Sequence, residues 1–243
     1  MKKILFSSAV ILVCLFVFNA CNKGDEPAPA KHGNPVPTGN YLAGLGTTPG
    51  YPAGRPFVLP PHISIVSSIR GGEMYKNTEI DKKKYTGPFP FDIIPKSWVS
   101  YGTGTFVNLY ITFYNSLPQP TNIIIPGGLI FIDSLDFDSN SAAVYQKGFI
   151  LQDVDIPIAS MDTAFVILRA YCLNHTLAPS NYNAVYFIGP ITSNPDLDSI
   201  VTIMGTKQYP FGEEYNIQQI IWNVTDYGLN LTSSEVQYLN SLP

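Results

Sequence analysis

The chain has little charge and no long basic run: 14 of its 243 residues are Lys or Arg and 18 are Asp or Glu, a formal net charge of −4. Without a basic stripe, nucleic acid is not an expected partner, and steering by a strong electrostatic field is excluded with it. Histidine is scarce as well. His32, His62 and His175 show no metal-ligand spacing, and no glycine-rich phosphate loop is present, so neither a metal nor a cofactor is expected. Cysteine is the third shortage. Cys14 and Cys21 belong to the extreme N-terminal region, so Cys172 is the one thiol expected in a folded domain, and an intramolecular disulfide is ruled out there.

Long apolar runs are also missing, with one exception at the start. Met1, Lys2 and Lys3 precede an apolar run over residues 4–18, the length of a signal-peptide core and too short to cross a bilayer comfortably. The run ends in Phe18-Asn19-Ala20-Cys21, which resembles the lipobox at which bacterial lipoproteins are cleaved and acylated. That resemblance implies a signal peptide over 1–20, a lipid on Cys21, membrane attachment through that lipid, and a place at the outer membrane or cell surface. Asn22-Lys23-Gly24-Asp25-Glu26 follows and is similar to the surface-export tag of some Gram-negative lipoproteins.

Residues 27–56 are rich in Pro, Gly, Ala and Asn and hold few large apolar side chains, so 21–56 reads as a lipid anchor and flexible spacer. The folded part is then expected over 57–243, enough chain for one well-packed domain.

Within that part Val107, Leu109, Ile111 and Phe113 alternate with Asn108, Tyr110, Thr112 and Tyr114, the period-two pattern of a half-buried strand. Further strand-like runs at 123–125, 129–132, 149–158 and 164–173 are separated by Pro-Gly-Gly and Asp/Ser/Asn turns. This spacing predicts a mainly β (α+β) domain, an immunoglobulin-like β-sandwich. After Cys172 the period changes. Asn194-Pro195 opens a helix with Leu197, Ile200, Val201 and Met204 on one stripe, and Gly205 ends it. Ile217, Ile220, Ile221 and Val224 form a second stripe ending at Gly228, and Thr232 to Glu235 makes a capping box for a third helix.

Two segments stand out chemically: Ala170-Tyr171-Cys172-Leu173-Asn174 at a strand end and Ile217-Gln218-Gln219-Ile220-Ile221-Trp222 in the second helix. Together they resemble the thioester domains of bacterial surface adhesins, with Ile217 where that family carries threonine. The resemblance implies a thioester-domain-like fold and places Cys172 and Gln218 as partners in an internal thioester, supported by Tyr171, Leu173 and Trp222. It implies covalent adhesion to amines, such as lysines of host or matrix proteins, and no enzymatic turnover. Helix geometry is compatible with it: at about 100° per residue, Gln218 and Trp222 share the margin of the apolar stripe while Gln219 turns to water.

A different reading of the same residues stays open. Ala164, Val166, Leu168, Ala170 and Cys172 share a strand face, so Cys172 is equally placed to be a core residue of a non-covalent binding or structural surface lipoprotein, with surface glycans among its candidate ligands. Cys172 with His175 as nucleophile and base ranks below both, since no third orienting group accompanies them. Asp136-x-Asp138-x-Asn140 opens like a calcium loop, but Ser141 and Lys147 stand at the glycine and glutamate positions, so a surface turn is expected.

Overall fold

The computed structural model describes residues 43–46, 48, 51–72, 98–137 and 145–243. The expected signal peptide over 1–20 and the lipid site Cys21 lie outside them, as do Asp138 and Asn140 of the calcium-like run.

Eleven strands are described, in chain order β1 (Gly54–Pro56), β2 (Ile63–Ile65), β3 (Ile69–Gly72), β4 (Val99–Tyr101), β5 (Val107–Asn115), β6 (Thr121–Ile125), β7 (Leu129–Asp133), β8 (Gly148–Phe149), β9 (Val154–Ile158), β10 (Thr163–Cys172) and β11 (Val185–Thr192). Three helices follow: α1 (Pro195–Met204), α2 (Glu213–Thr225) and α3 (Ser233–Ser241). The domain is mainly β with C-terminal helices, as the change of period predicts. Its strands do not form two open facing sheets, however. The order β5-β3-β11-β7-β8-β10 is closed by a further pairing of β10 with β5, making a six-stranded barrel to which β1, β2 and β4 add at edges, while β6 and β9 pair separately as a ribbon.

Closure comes from the length of β5 and β10. They pair antiparallel from Thr163↔Tyr114 to Ala170↔Val107, and β10 uses its other edge for β8 and, in parallel, for β4. Such a strand has a neighbour on each edge, which removes the exposed edges an open sheet must otherwise protect.

The barrel wall separates two cores. Leu109, Phe113, Leu129, Phe131, Val166, Leu168, Ala170 and Cys172 point inward, joined by Ile123, Ile125 and Ile156 of the ribbon. Ile130, Ile132, Phe149, Tyr171 and Leu173 point outward from the same strands and are covered by Leu197, Ile200, Ile217, Ile221 and Leu239 of the helices. Strand alternation with both faces buried accounts for the near-continuous apolar reading of β7.

The helix ends obey their local chemistry. Asn194 accepts from the backbone of Asp196 and Leu197 with Pro195 at the first helical position, and Thr232 and Glu235 complete the capping box of α3. The second helix stops at Thr225, three residues before Gly228.

The folded part begins earlier than residue 57. Leu45 is buried among the helix-side apolar residues, and β1 pairs with β11 from Gly54↔Thr192 to Pro56↔Pro190, so the end of the stretch expected as spacer belongs to the fold.

Candidate functional site

The site grows out of a mismatch in strand length. Along β10, even-numbered residues direct their backbone N–H and C=O toward β5, but β5 begins only at Val107, opposite Ala170. Ahead of Val107 the chain turns across β10, with Gly104 so close that a Cβ there would lie 2.1 Å from the Ala170 carbonyl carbon. Among the described residues Cys172 therefore has no strand partner on that edge. On the other edge, Leu173 bonds back to Lys147 O at 3.2 Å.

Gln218 fills the gap. Its carboxamide Oε1 accepts from Cys172 N–H at 2.8 Å, and its Nε2 donates to Cys172 C=O at 2.6 Å. The side-chain amide thus imitates a neighbouring strand for one residue and satisfies two buried backbone groups. Both residues are fully buried. Gln218 reaches this position because Ile217, Ile221 and Val224 anchor α2 in the helix-side core and leave position 218 at the margin facing the strand end.

The sulfur is held from the side of the following turn. Asn174 N–H donates to Cys172 Sγ at 3.2 Å, while the Asn174 side chain accepts from Lys147 N–H at 2.9 Å and donates to Gly46 C=O. Burial pushes the Cys172 thiol up to about 12, only partly opposed by the Asn174 N–H, by the Lys147 charge and by the Trp222 indole, whose N–H has no hydrogen-bond partner among the described residues. The resting group is therefore a neutral thiol, a weaker nucleophile than a thiolate.

Aromatic rings cover the pair. Trp222, one helical turn beyond Gln218, meets Phe106 edge-on at 5.4 Å between centroids and His175 at 4.5 Å, and Tyr215 leans on Phe106 at 6.4 Å. Tyr171 turns away into the helix-side core, where its hydroxyl pairs with that of Tyr209 at 2.6 Å and burial raises its pKa. Leu173 is buried on the same side.

The residues singled out in sequence are thus assembled: Cys172 and Gln218 touch, Trp222 roofs them, and Tyr171 and Leu173 root the strand end under the helices. The Cys172–His175 alternative gains nothing. The His175 ring stands against Trp222, and its backbone N–H is taken by both carboxylate oxygens of Asp226 at 3.0 Å. Asp226 itself has a raised pKa, mainly through burial.

Asn174, Gly46, Asp226 and Phe106 were not assigned roles from sequence. Asn174 carried a usable signal, an amide directly after a buried strand end, where such side chains commonly bond to local backbone. Gly46 carried none, because what makes it special is an approach to Thr225 far along the chain.

Chemically, the carboxamide is polarised at both ends. Its oxygen already receives an N–H where negative charge would gather if the carbon were attacked, and its nitrogen is held by a carbonyl. No protein-family model, curated protein or solved structure matches this chain.

Proposed function

We propose that the chain is a lipid-anchored surface protein with a thioester-domain-like site, in which Cys172 and Gln218 condense to an internal thioester that captures amines. The observation that carries this reading is the double hydrogen bond between the Gln218 carboxamide and the backbone of Cys172, which confines the electrophilic carbon beside the residue bearing the nucleophile. In the first step sulfur bonds to the carboxamide carbon, the carbon–nitrogen bond breaks, and the thiol proton leaves with ammonia. An incoming primary amine then forms the amide, and the carbon–sulfur bond breaks to return the thiol. Burial beneath Trp222 and Phe106 favours a bond that water would otherwise hydrolyse. The lipid on Cys21 would hold this chemistry at a membrane facing the outside of the cell.

The test is intact mass of the freshly purified soluble domain, expressed without the signal peptide and the lipid-bearing Cys21. The expected mass is lighter than the sequence by one ammonia, the deficit disappears in Cys172→Ala and Gln218→Ala, and methylamine converts it to an adduct. A full mass with a titratable thiol refutes the bond.

A second reading rests on the unpaired end of β10. Gln218 satisfies the backbone of Cys172 without any covalent step, so the pair also suits a non-covalent binding or structural lipoprotein with a core cysteine. The same mass measurement separates the two.

A further inference from the structure

We infer that residues 43–46 form a clasp that holds the Cys172–Gln218 pair closed and governs access to it from solvent. Leu45 is only 4% exposed and belongs to the same helix-side core as Tyr171, Leu173, Ile217 and Ile221, the outward side chains of the two elements that carry the pair. Gly46 follows with φ of +54°, and a Cβ there would meet Thr225 O at 2.1 Å and Asp226 Cα at 2.9 Å. Thr225 is the last residue of α2 and Asp226 its C-cap. The Gly46 carbonyl in turn accepts from the side chain of Asn174, whose backbone N–H holds the Cys172 sulfur.

One short turn therefore touches the exit of β10 and the exit of α2 together. The turn is locked by Gly44 N–H to Thr48 O at 3.1 Å and Thr48 N–H to Leu45 O at 3.0 Å. Asn174 links the clasp directly to the sulfur. Lifting the turn uncovers the apolar face beneath Leu45 and frees the Asn174 side chain from one of its two partners, loosening the strand end that Gln218 grips. Local openings of this kind need far less free energy than global unfolding. The inference concerns access and stands whether or not the pair condenses.

Gly46 is the position at which one substitution expels the clasp, since any side chain meets backbone that cannot yield and the positive φ disfavours a branched residue. Full-length Gly46→Val and the milder Leu45→Ala are compared with the parent in native buffer. Hydrogen exchange of the peptide over 43–48 reports clasp release, urea unfolding reports global stability, and peptide mapping of the adduct left by an aromatic disulfide reagent reports the Cys172 thiol apart from Cys14 and Cys21. Where the mass shows a thioester, methylamine replaces that reagent. The expected result is free exchange over 43–48 with modification at least about tenfold faster than the rise in globally unfolded protein accounts for. Free exchange with an unchanged modification rate overturns the clasp, as does acceleration that only tracks global unfolding. Continued protection of 43–48 in both variants overturns it too.

Discussion

Measured against parent protein whose Cys172 and Gln218 are uncondensed, Gln218→Leu removes the carboxamide while roughly keeping its volume, and so isolates what the two hydrogen bonds do. Cys172 then keeps a backbone N–H and C=O that are fully buried, on an edge that β5 does not reach. Leaving one such group unpaired costs about 1–3 kcal/mol, so both together cost about 2–6 kcal/mol, set against a whole-domain stability of about 5–15 kcal/mol. In urea this is a midpoint lowered by about 1–2 M for a domain with a slope of about 2–3 kcal/mol per molar. Gln218→Glu refines the test. A protonated carboxyl can accept from Cys172 N–H and donate to Cys172 C=O, whereas a carboxylate can only accept. Folding should therefore raise the introduced pKa above its ordinary value of about 4.3, giving stability that is complete below that pH and is lost as pH rises. Urea titrations at pH 4 and pH 7 measure the difference. A Gln218→Leu protein within about 0.5 kcal/mol of the parent would refute the view that the amide stands in for a strand.

Three further outcomes are expected. With an uncondensed thiol, stability should fall from pH 9 toward 12 by up to about 1.4 kcal/mol per pH unit, because folding holds Cys172 up near 12 against an ordinary 9.0. Tyr171, Tyr186, Tyr209 and Tyr238, also raised from their ordinary 10.0, begin to contribute as pH nears 10, so the share of the thiol is the difference between the parent and Cys172→Ala in urea unfolding over pH 9 to 10. Gly104→Ala should cost about 1–3 kcal/mol by driving a methyl into the Ala170 carbonyl, and an unchanged melting temperature would contradict that close approach. Cys21→Ser should abolish detergent partitioning and leave the precursor uncleaved, and persistence of both processing and membrane association would remove the lipid from the account.

How much of the fold was readable in the chain depended on whether the signal was local. Asn194-Pro195 and Thr232 to Glu235 act on backbone groups within a few residues, so α1 and α3 follow from sequence with their caps in place. The alternation of β5 was equally clear, since a strand face needs only its own residues to declare it. Closure was not. Whether β10 returns to β5 is decided by pairings such as Leu168↔Leu109, which join residues far apart in the chain, and period-two patterns are the same in a sandwich and a barrel. The start of the folded part was misplaced for a related reason: Leu45 is an isolated apolar residue in a Gly- and Pro-rich stretch, and only the helix-side core reveals where it goes.

The site repeats this pattern at smaller scale. Cys172 and Gln218 drew notice as residue types beside Trp222, but the reason they meet is an absence, the missing length of β5 beyond Val107, which no motif records. That origin bears on function. An uncondensed Gln218 satisfies both backbone groups of Cys172 with no covalent step, and the proposed condensation would give up the bond to Cys172 C=O by expelling the nitrogen that donates it. Asparagine on the same helix would be one methylene short of the strand, and glutamate would lack the donor at neutral pH. The thiol must lose its proton for attack, yet burial opposes that loss, with Asn174 N–H, the Trp222 indole and the Lys147 charge acting the other way. If the pair condenses as proposed, loss of the thiol proton is a barrier that burial raises, and the rate of ammonia loss after refolding should rise with pH until the thiol has titrated. A pH-independent rate would show that the amide nitrogen takes the thiol proton in the same step as attack, with no free thiolate along the way.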